Sequence, residues 1–555
     1  MPVQPQPQSS PSLVHAAGSI SAAVSLSRIT GMVREVVMAR LFGAGAIYDA
    51  FLLGMRIPNL ARNLFAEGSL SSAFVPVFSQ YLAKRGRAEA ARLSSAVATG
   101  LILAVSVVCL LGILFSPQLV TLLAPGFAAV PGKRELAIRL TRILFPFLAL
   151  VAVAAQAMGV LNACNRFGIP ALASTFFNLG SLAVGLGLGF TLGRRSPQSL
   201  IVWMAVGVLA GGVIQLLWQF PSLRREGFLN PPRWDFAHPG LRRIARLMLP
   251  ALLGNAALQI NVMVNTNLAS SITGPNGQVI SGPVSWLGYA FRFLQLPLGL
   301  FGASIASAML PEISRAAAAH RMDEFRSVLR RALGLMLLLT IPSSAGLIVL
   351  GPSMIGAIYE GGRFQSADTR QTALALAFYS IGLAGYSAVK ILAPVFYSLD
   401  DGRTPMLVSL GSVALNLALA LSFVRRAGMG HAGLALSTSL AALAGAAALF
   451  ALLGARVRGL GARPLGLSLL KISSASAAMA LACYLSSSCV RAAVGAGRAA
   501  YLADVAVSVP LGAAVFYAAA RLLAVPELET VSHACYTAIR NASRPEAGDP
   551  TPGNR

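Results

Sequence analysis

The stretch SRITGMVREVVMARLFGAG, residues 27–45, decides how this chain is read. Between its charges it is apolar, and it holds no proline, so it reads as a helix continuing the apolar run from Leu13. It also carries Arg28, Arg34, Glu35 and Arg40. An ionisable side chain at the centre of a membrane-spanning helix costs about 2.5–3.5 kcal/mol on insertion scales. Such residues face a bundle interior or a water-filled cavity. Arg28 and Glu35 are seven residues apart and share one helix face, whereas Arg34 points elsewhere. Arg40, near the helix end, is placed to snorkel to the interface.

The rest of the chain supports the membrane reading. A soluble protein carries roughly 25% charged residues; these 555 residues carry 11%, with 56% hydrophobic and a mean hydropathy of +0.70. The fold class is an all-α polytopic membrane protein. A span needs about 20 apolar residues, because a helix rises 1.5 Å per residue across a core of roughly 30 Å. That ruler gives about fourteen transmembrane helices, at 15–42, 48–82, 93–115, 136–163, 169–192, 199–220, 241–271, 283–313, 327–350, 369–398, 406–424, 431–454, 468–490 and 501–524.

The net charge of +25 raises nucleic acid as a partner. The basic residues instead fall in short segments between apolar stretches, as the positive-inside rule places them, and no basic, aromatic-interleaved domain is present. Clusters at 84–92, 224–246, 315–331 and 456–471 lie an even number of spans apart, while 270–286 on the other face is uncharged. Arg194/Arg195 and Arg425/Arg426 are exceptions, and the balance puts both termini in the cytoplasm. No basic segment precedes the apolar run from Leu13, so it does not read as a cleaved signal peptide. The five cysteines and five histidines are scattered. They show no metal spacing, so no metal, cofactor or catalytic set is expected.

An internal repeat organises the spans. S-A-x-x-P-x-x-S occurs at Ser72–Ser79 and again, 235 residues later, at Ser307–Ser314. The same offset relates Pro117 to Pro352 and Pro170 to Pro405. Two six-helix lobes follow, 13–235 and 236–460, related by a pseudo-twofold along the membrane normal, with two C-terminal helices at 461–526 outside the repeat. Parallel repeats of this kind are a transporter arrangement. Residues 1–12 read as a disordered tail and 527–555 as a cytoplasmic one. GLGLG (185–189) and the Gly207/Gly211 pair read as helix-packing surfaces, and LDDGRTP (399–405) as a turn.

Span 2 repeats the charge anomaly with Asp49, Arg56, Arg62 and Glu67, with Pro58 expected to kink it; span 8 adds Arg292. Interhelical ion pairs are one reading of these groups. As a set, arginines outnumber carboxylates, and unpaired cations in a cavity call for an anion. The planar guanidinium fork suits phosphate.

SRITGMVREVVMARLFGAG, YDAF (48–51) and RIPNLARNLFAEGSLSSAFVPVF (56–78) closely resemble the opening of the MurJ/MviN lipid II flippases, within the multidrug/oligosaccharidyl-lipid/polysaccharide exporter superfamily. LNACNRFGIPALASTFFN (161–178) and VSWLGYAFRFLQLPLG (284–299) match later signatures, and the resemblance covers essentially the whole chain. It implies an inward-open cavity between two lobes whose cations hold a lipid pyrophosphate. The family's essential positions fall on Arg28, Arg34, Asp49, Arg62 and Arg292, supported by Glu35, Arg56, Glu67 and Asn63. The two C-terminal helices would form a groove for the polyprenyl tail. Two departures stand out: many relatives have a second arginine where this chain has Asn63, and an acidic residue where it has Phe291.

The expectation is therefore a transporter, not an enzyme. It would move lipid II from the cytoplasmic to the outer leaflet by alternating access, as a monomer in the bacterial inner membrane. The alternative is a related exporter of other polyprenyl-linked saccharides or of drugs, although a drug exporter would rely on carboxylates for organic cations. Spans 7 and 11 contain no Asp or Glu, so no coupling-ion site is assigned.

Overall fold

The computed structural model describes residues 11–65, 69–193, 196–457, 459–495 and 497–529, and their side chains except at 11–21, 61–65, 69–72, 249–258 and 462. The tails at 1–10 and 530–555, the residue Glu67, and the side chains of Arg62 and Asn63 lie outside the described residues. Among the described residues the chain is helical, with two isolated β-bridges and no strand. Hydrocarbon offers backbone groups no water to bond, so a spanning segment satisfies them within its own helix.

The helices are α1 (Pro11–Phe42), α2 (Ala46–Phe65), α3 (Ser69–Leu114), α4 (Ser116–Leu123), α5 (Lys133–Leu144), α6 (Phe147–Ala163), α7 (Gly168–Leu192), α8 (Pro197–Arg225) and α9 (Pro239–Ser270). They continue as α10 (Pro283–Pro297), α11 (Ser304–Ala318), α12 (Met322–Tyr359), α13 (Ser366–Ile381), α14 (Leu383–Tyr397), α15 (Arg403–Leu421), α16 (Gly430–Arg456), α17 (Ala462–Val494) and α18 (Arg498–Leu522). Among the described residues ten helical segments are long and apolar enough to cross a membrane, and the pair α13–α14, bent by 44°, makes an eleventh. The expected count of fourteen also includes α1, α2 and α9, in which residues 11–21, 61–65 and 249–258 lie outside the described side chains.

The second and third expected spans meet in α3, which runs through the basic segment at 84–92 and breaks helical geometry at Gly86, φ +81°. Only glycine takes that conformation without a steric penalty. Pro58 is held inside α2. Of the repeated prolines, Pro170 and Pro405 are each the third residue of their helices, α7 and α15. Pro76 and Pro311 lie inside α3 and α11. Pro117 opens α4 after a break at Phe115, whereas its counterpart Pro352 is carried within α12.

The chain forms two compact units. The first comprises residues 1–288, 358–369 and 417–434. In it α7 and α8 approach closely through small residues: a Cβ on Gly207 would lie 2.5 Å from the Ser181 carbonyl oxygen, and one on Gly211 2.6 Å from that of Phe177. Lipid gives helices no hydrophobic drive to associate, so such close backbone packing takes its place. Phe74 and Phe78 stack at 5.2 Å in a core with Val77, Tyr81, Leu93 and Val160.

The second unit comprises 289–357, 370–416 and 435–555. Its core gathers Ile313, Ala316, Phe325, Leu329, Leu392 and Phe396. After Pro297 the chain makes a π-helical turn, Leu298–Ala303, before α11. Gly302 there sits against α14, its Cβ position 2.9 Å from Ser387 Oγ. The sequence 399–405 is a turn as expected: Asp400 has φ +57°, and Asp401 Oδ1 accepts the amides of Arg403 and Thr404 at the start of α15, each at 3.0 Å.

Candidate functional site

Five of the charged helices' predicted site residues, Arg28, Arg34, Glu35, Asp49 and Arg56, are described in the first unit. Helix α1 is fixed to α7 by Asn178, whose Nδ2 donates to the Ser27 carbonyl at 3.2 Å and to Thr30 Oγ1 at 3.3 Å. Gly31 leaves room for that amide, which lies 3.3 Å from where a Cβ would be. This seating turns Arg28 outward, and among the described residues no group pairs with its guanidinium. Arg34, half-buried, places its guanidinium 5.1 Å over the Phe177 ring of α7. Glu35 accepts from the Tyr359 hydroxyl at 3.3 Å.

Arg40 is half-buried with its Nε enclosed, and the end of α1 interlocks with the turn at 360–364. The Arg363 amide donates to the Arg40 carbonyl at 2.9 Å. Gly43 (φ +65°) and Gly362 (φ +60°) make this approach possible. A Cβ on Gly43 would lie 2.5 Å from the Arg363 carbonyl oxygen, and one on Gly362 2.3 Å from that of Arg40.

Asp49 is wholly buried. Its Oδ2 receives Lys133 Nζ at 2.8 Å and the Gly282 amide at 2.8 Å, and its Oδ1 receives the Ser285 amide at 2.9 Å and the Ser285 hydroxyl at 2.5 Å. Four donors fill the roughly four acceptor sites of a carboxylate. Two of them belong to the N-terminus of α10, where the helix dipole favours an anion. Lys133 Nζ also donates to Ser281 Oγ at 3.2 Å and sits 4.2 Å over the Phe127 ring. The cation held by Asp49 is thus Lys133, not one of the arginines. Sequence reasoning missed this lysine because it lies three residues ahead of the span read at 136–163; a basic pair, Lys133–Arg134, opening α5 was the available signal. In the same unit, Arg56 Nη1 donates to Thr266 Oγ1 of α9.

Arg292 is described in the second unit, on α10, where it is exposed. Its neighbour Phe291 packs edge-on against Tyr379 with ring centroids 5.6 Å apart. A second cation in that unit, Lys390 on α14, is also exposed and was not singled out from the sequence. Supporting residues Asn63 and Glu67, with Arg62, fall outside the described side chains.

An all-α chain with up to eleven apolar spans among its described residues, and with arginines on further helices, defines a multi-span membrane protein. A solved structure titled as an inward-facing multidrug resistance MATE family transporter of the MOP superfamily matches over 79% of this chain and 96% of its own, with TM-score 0.61 and 16% identity, a likeness of fold. A solved structure of "Lipid II flippase MurJ, inward closed conformation" covers 91% of this chain and 98% of its own, with TM-score 0.73 and 26% identity. "Lipid II flippase MurJ" of Burkholderia cenocepacia is 34% identical over 447 residues, 80% of this chain and 83% of that protein. Residues 38–501 match the family described as "Lipid II flippase MurJ". The chain belongs to the MurJ lipid II flippase family.

Proposed function

We propose that this protein is a lipid II flippase, carrying the undecaprenyl-pyrophosphate-linked peptidoglycan precursor from the cytoplasmic to the outer leaflet of the inner membrane. The observation that carries the reading is the family match across 38–501. Arg28, Arg34 and Arg62 on the first unit receive the pyrophosphate, and Arg292 is a further substrate-binding residue. The outward-turned Arg28 supports this role, because a guanidinium with no described protein partner is available for bidentate phosphate bonding. Asp49, with its acceptors filled by the protein, acts as a positioning residue by fixing α2 to the start of α10. Both termini are cytoplasmic, as the basic segments suggest. The sequence repeat organises residues 13–235 and 236–460 as two equivalent lobes, and 461–526 shelters the polyprenyl tail. The protein acts as a monomer.

The test is complementation of a bacterium depleted of its own lipid II flippase, comparing wild type with Arg28→Ala, Arg62→Ala and Arg292→Ala at matched expression. Rescue by wild type alone is the expected result. Rescue by all four would make the arginines structural, and failure of well-expressed wild type would overturn the flippase reading.

A further inference from the structure

Asp504 is a fully buried carboxyl group on α18. It is ringed by serine hydroxyls from three helices: Ser487 Oγ of α17 donates to Oδ2 at 2.6 Å, Ser353 Oγ of α12 donates to the same oxygen, and Ser508 Oγ, one turn along α18, donates to Oδ1 at 2.6 Å. All three serines are buried. The helices close tightly around this point. A Cβ on Gly356 of α12 would lie 2.4 Å from the Tyr501 ring, and one on Gly512 2.5 Å from Cys483 Sγ.

No basic group neutralises this carboxyl among the described residues. Four titratable or charged residues approach it. Arg491, one turn beyond Ser487, gives its Nε to the Ser487 carbonyl at 3.2 Å. Arg498, at the start of α18, gives its Nε to the Ala357 carbonyl at 3.1 Å. Cys483 Sγ faces the Ser508 carbonyl at 3.5 Å, and Tyr501 lies against Gly356. Helix α12 contributes no titratable residue between Arg331 and Tyr359. An intramembrane ionisable group without a counter-charge is a functional signal in its own right.

Ser508 supplies the second half of the argument. It has a single hydroxyl proton and two oxygens within reach, Asp504 Oδ1 at 2.6 Å and Ser486 Oγ at 2.9 Å. With Asp504 ionised, Ser508 donates to the carboxylate. With Asp504 protonated, the carboxyl O–H donates to Ser508 Oγ, whose own proton turns to Ser486. Both states keep Ser508 and Oδ1 bonded, since a hydroxyl both donates and accepts. Ser486 is only partly buried, so the chain runs from a closed carboxyl towards accessible space. The oxygens touch at hydrogen-bond distance, leaving no ion-sized gap between them, which favours a proton over a metal cation.

We propose that Asp504 is a proton-binding site joining α12, α17 and α18, and that it exchanges its proton through Ser508 and Ser486. Proton binding here is independent of which anion the arginines carry.

The test is pH-difference infrared spectroscopy on the full chain in lipid nanodiscs. Acidification is expected to raise a protonated-carboxyl band that is lost in Asp504→Asn. In Ser508→Ala the relay to Ser486 is cut, so after a pH jump the band should appear severalfold more slowly than in the wild type. If Asp504→Asn does not fold, the slowing in Ser508→Ala decides alone. The proposal is overturned by a band that Asp504→Asn leaves intact, by no titrating band in the wild type while it stays folded, or by an unslowed response in Ser508→Ala. Suppression of the wild-type band by sodium at constant pH would assign the site to a metal cation instead.

Discussion

Asp49 and Lys133 form an ion pair at 2.8 Å in which the side chains are 0% and 1% exposed. Eighty-four residues separate them, and the pair joins the start of α2 to the start of α5 while its carboxylate also holds the start of α10. A pair so enclosed is far more costly to halve than to replace, because the survivor is a buried charge with no partner.

Lys133→Met should therefore destabilise the protein by about 3–5 kcal/mol, and the double variant with Asp49→Asn should recover part of that loss. Thermal unfolding in lipid nanodiscs measures both. Equal stability of Lys133→Met and wild type would show that the pair contributes nothing net.

Arg28→Ala should separate function from folding. Arg28 is exposed and unpaired among the described residues, so its truncation should change stability by no more than about 0.5 kcal/mol while abolishing complementation. A large loss of thermal stability would place Arg28 in the packing instead.

The α7–α8 seam offers a steric contrast. Gly211→Val would drive side-chain atoms into the Phe177 carbonyl, 2.6 Å from the Cβ position, whereas Gly187 has nothing within 4 Å. Overpacking costs about 1–3 kcal/mol, so Gly211→Val should lower the melting temperature and Gly187→Ala should not. The pair of unfolding curves is the measurement.

Asp401 gives a pH dependence outside the spans. The Thr404 hydroxyl and amide, then Arg456 and the Arg403 amide, hold its carboxyl below the usual carboxylate range against a smaller desolvation effect. A lowered native value stabilises the folded state above the unfolded value of about 3.9, and that contribution disappears as the pH falls through the lowered one. Amide exchange at Arg403 and Thr404, corrected for intrinsic rates, should accelerate on acidification through that window, and Asp401→Asn should flatten the response.

If the cargo is an anion, moving each charge outward across a negative-inside membrane releases about 2.3 kcal/mol per 100 mV. Dissipating the potential in cells should slow export of the lipid precursor to the outer leaflet. Export that continues unchanged would remove the potential as a driving force.

Much of the fold was legible because apolar length and the cost of buried charge act locally. The GLGLG and Gly207/Gly211 surfaces could be read as packing from their spacing, and contacts between α7 and α8 bear this out. LDDGRTP could be read as a turn from residue type, and Asp401 caps α15 there. Partnership was not legible. Nothing in YDAF announces that Asp49 will meet Lys133, because that choice is made by tertiary packing across 84 residues. Nothing around Arg40 announces the turn at 360–364 that its carbonyl meets, because that turn lies more than 300 residues downstream. Asp504 escaped notice among apolar neighbours, since only the assembled helices bring four serines to its side of the bundle.

The interlock between Arg40 and Arg363 also bears on how the protein is made. The exit of α1 is held by a turn that the ribosome produces 323 residues later. At about 5–20 residues per second, that partner arrives on the order of tens of seconds after the first helix has been inserted. Until then Gly43 has no opposing carbonyl to fit against. Before Arg363 is made the Arg40 carbonyl lacks the amide it accepts in the finished fold, so the exit of α1 is among the last parts of the first unit to be completed.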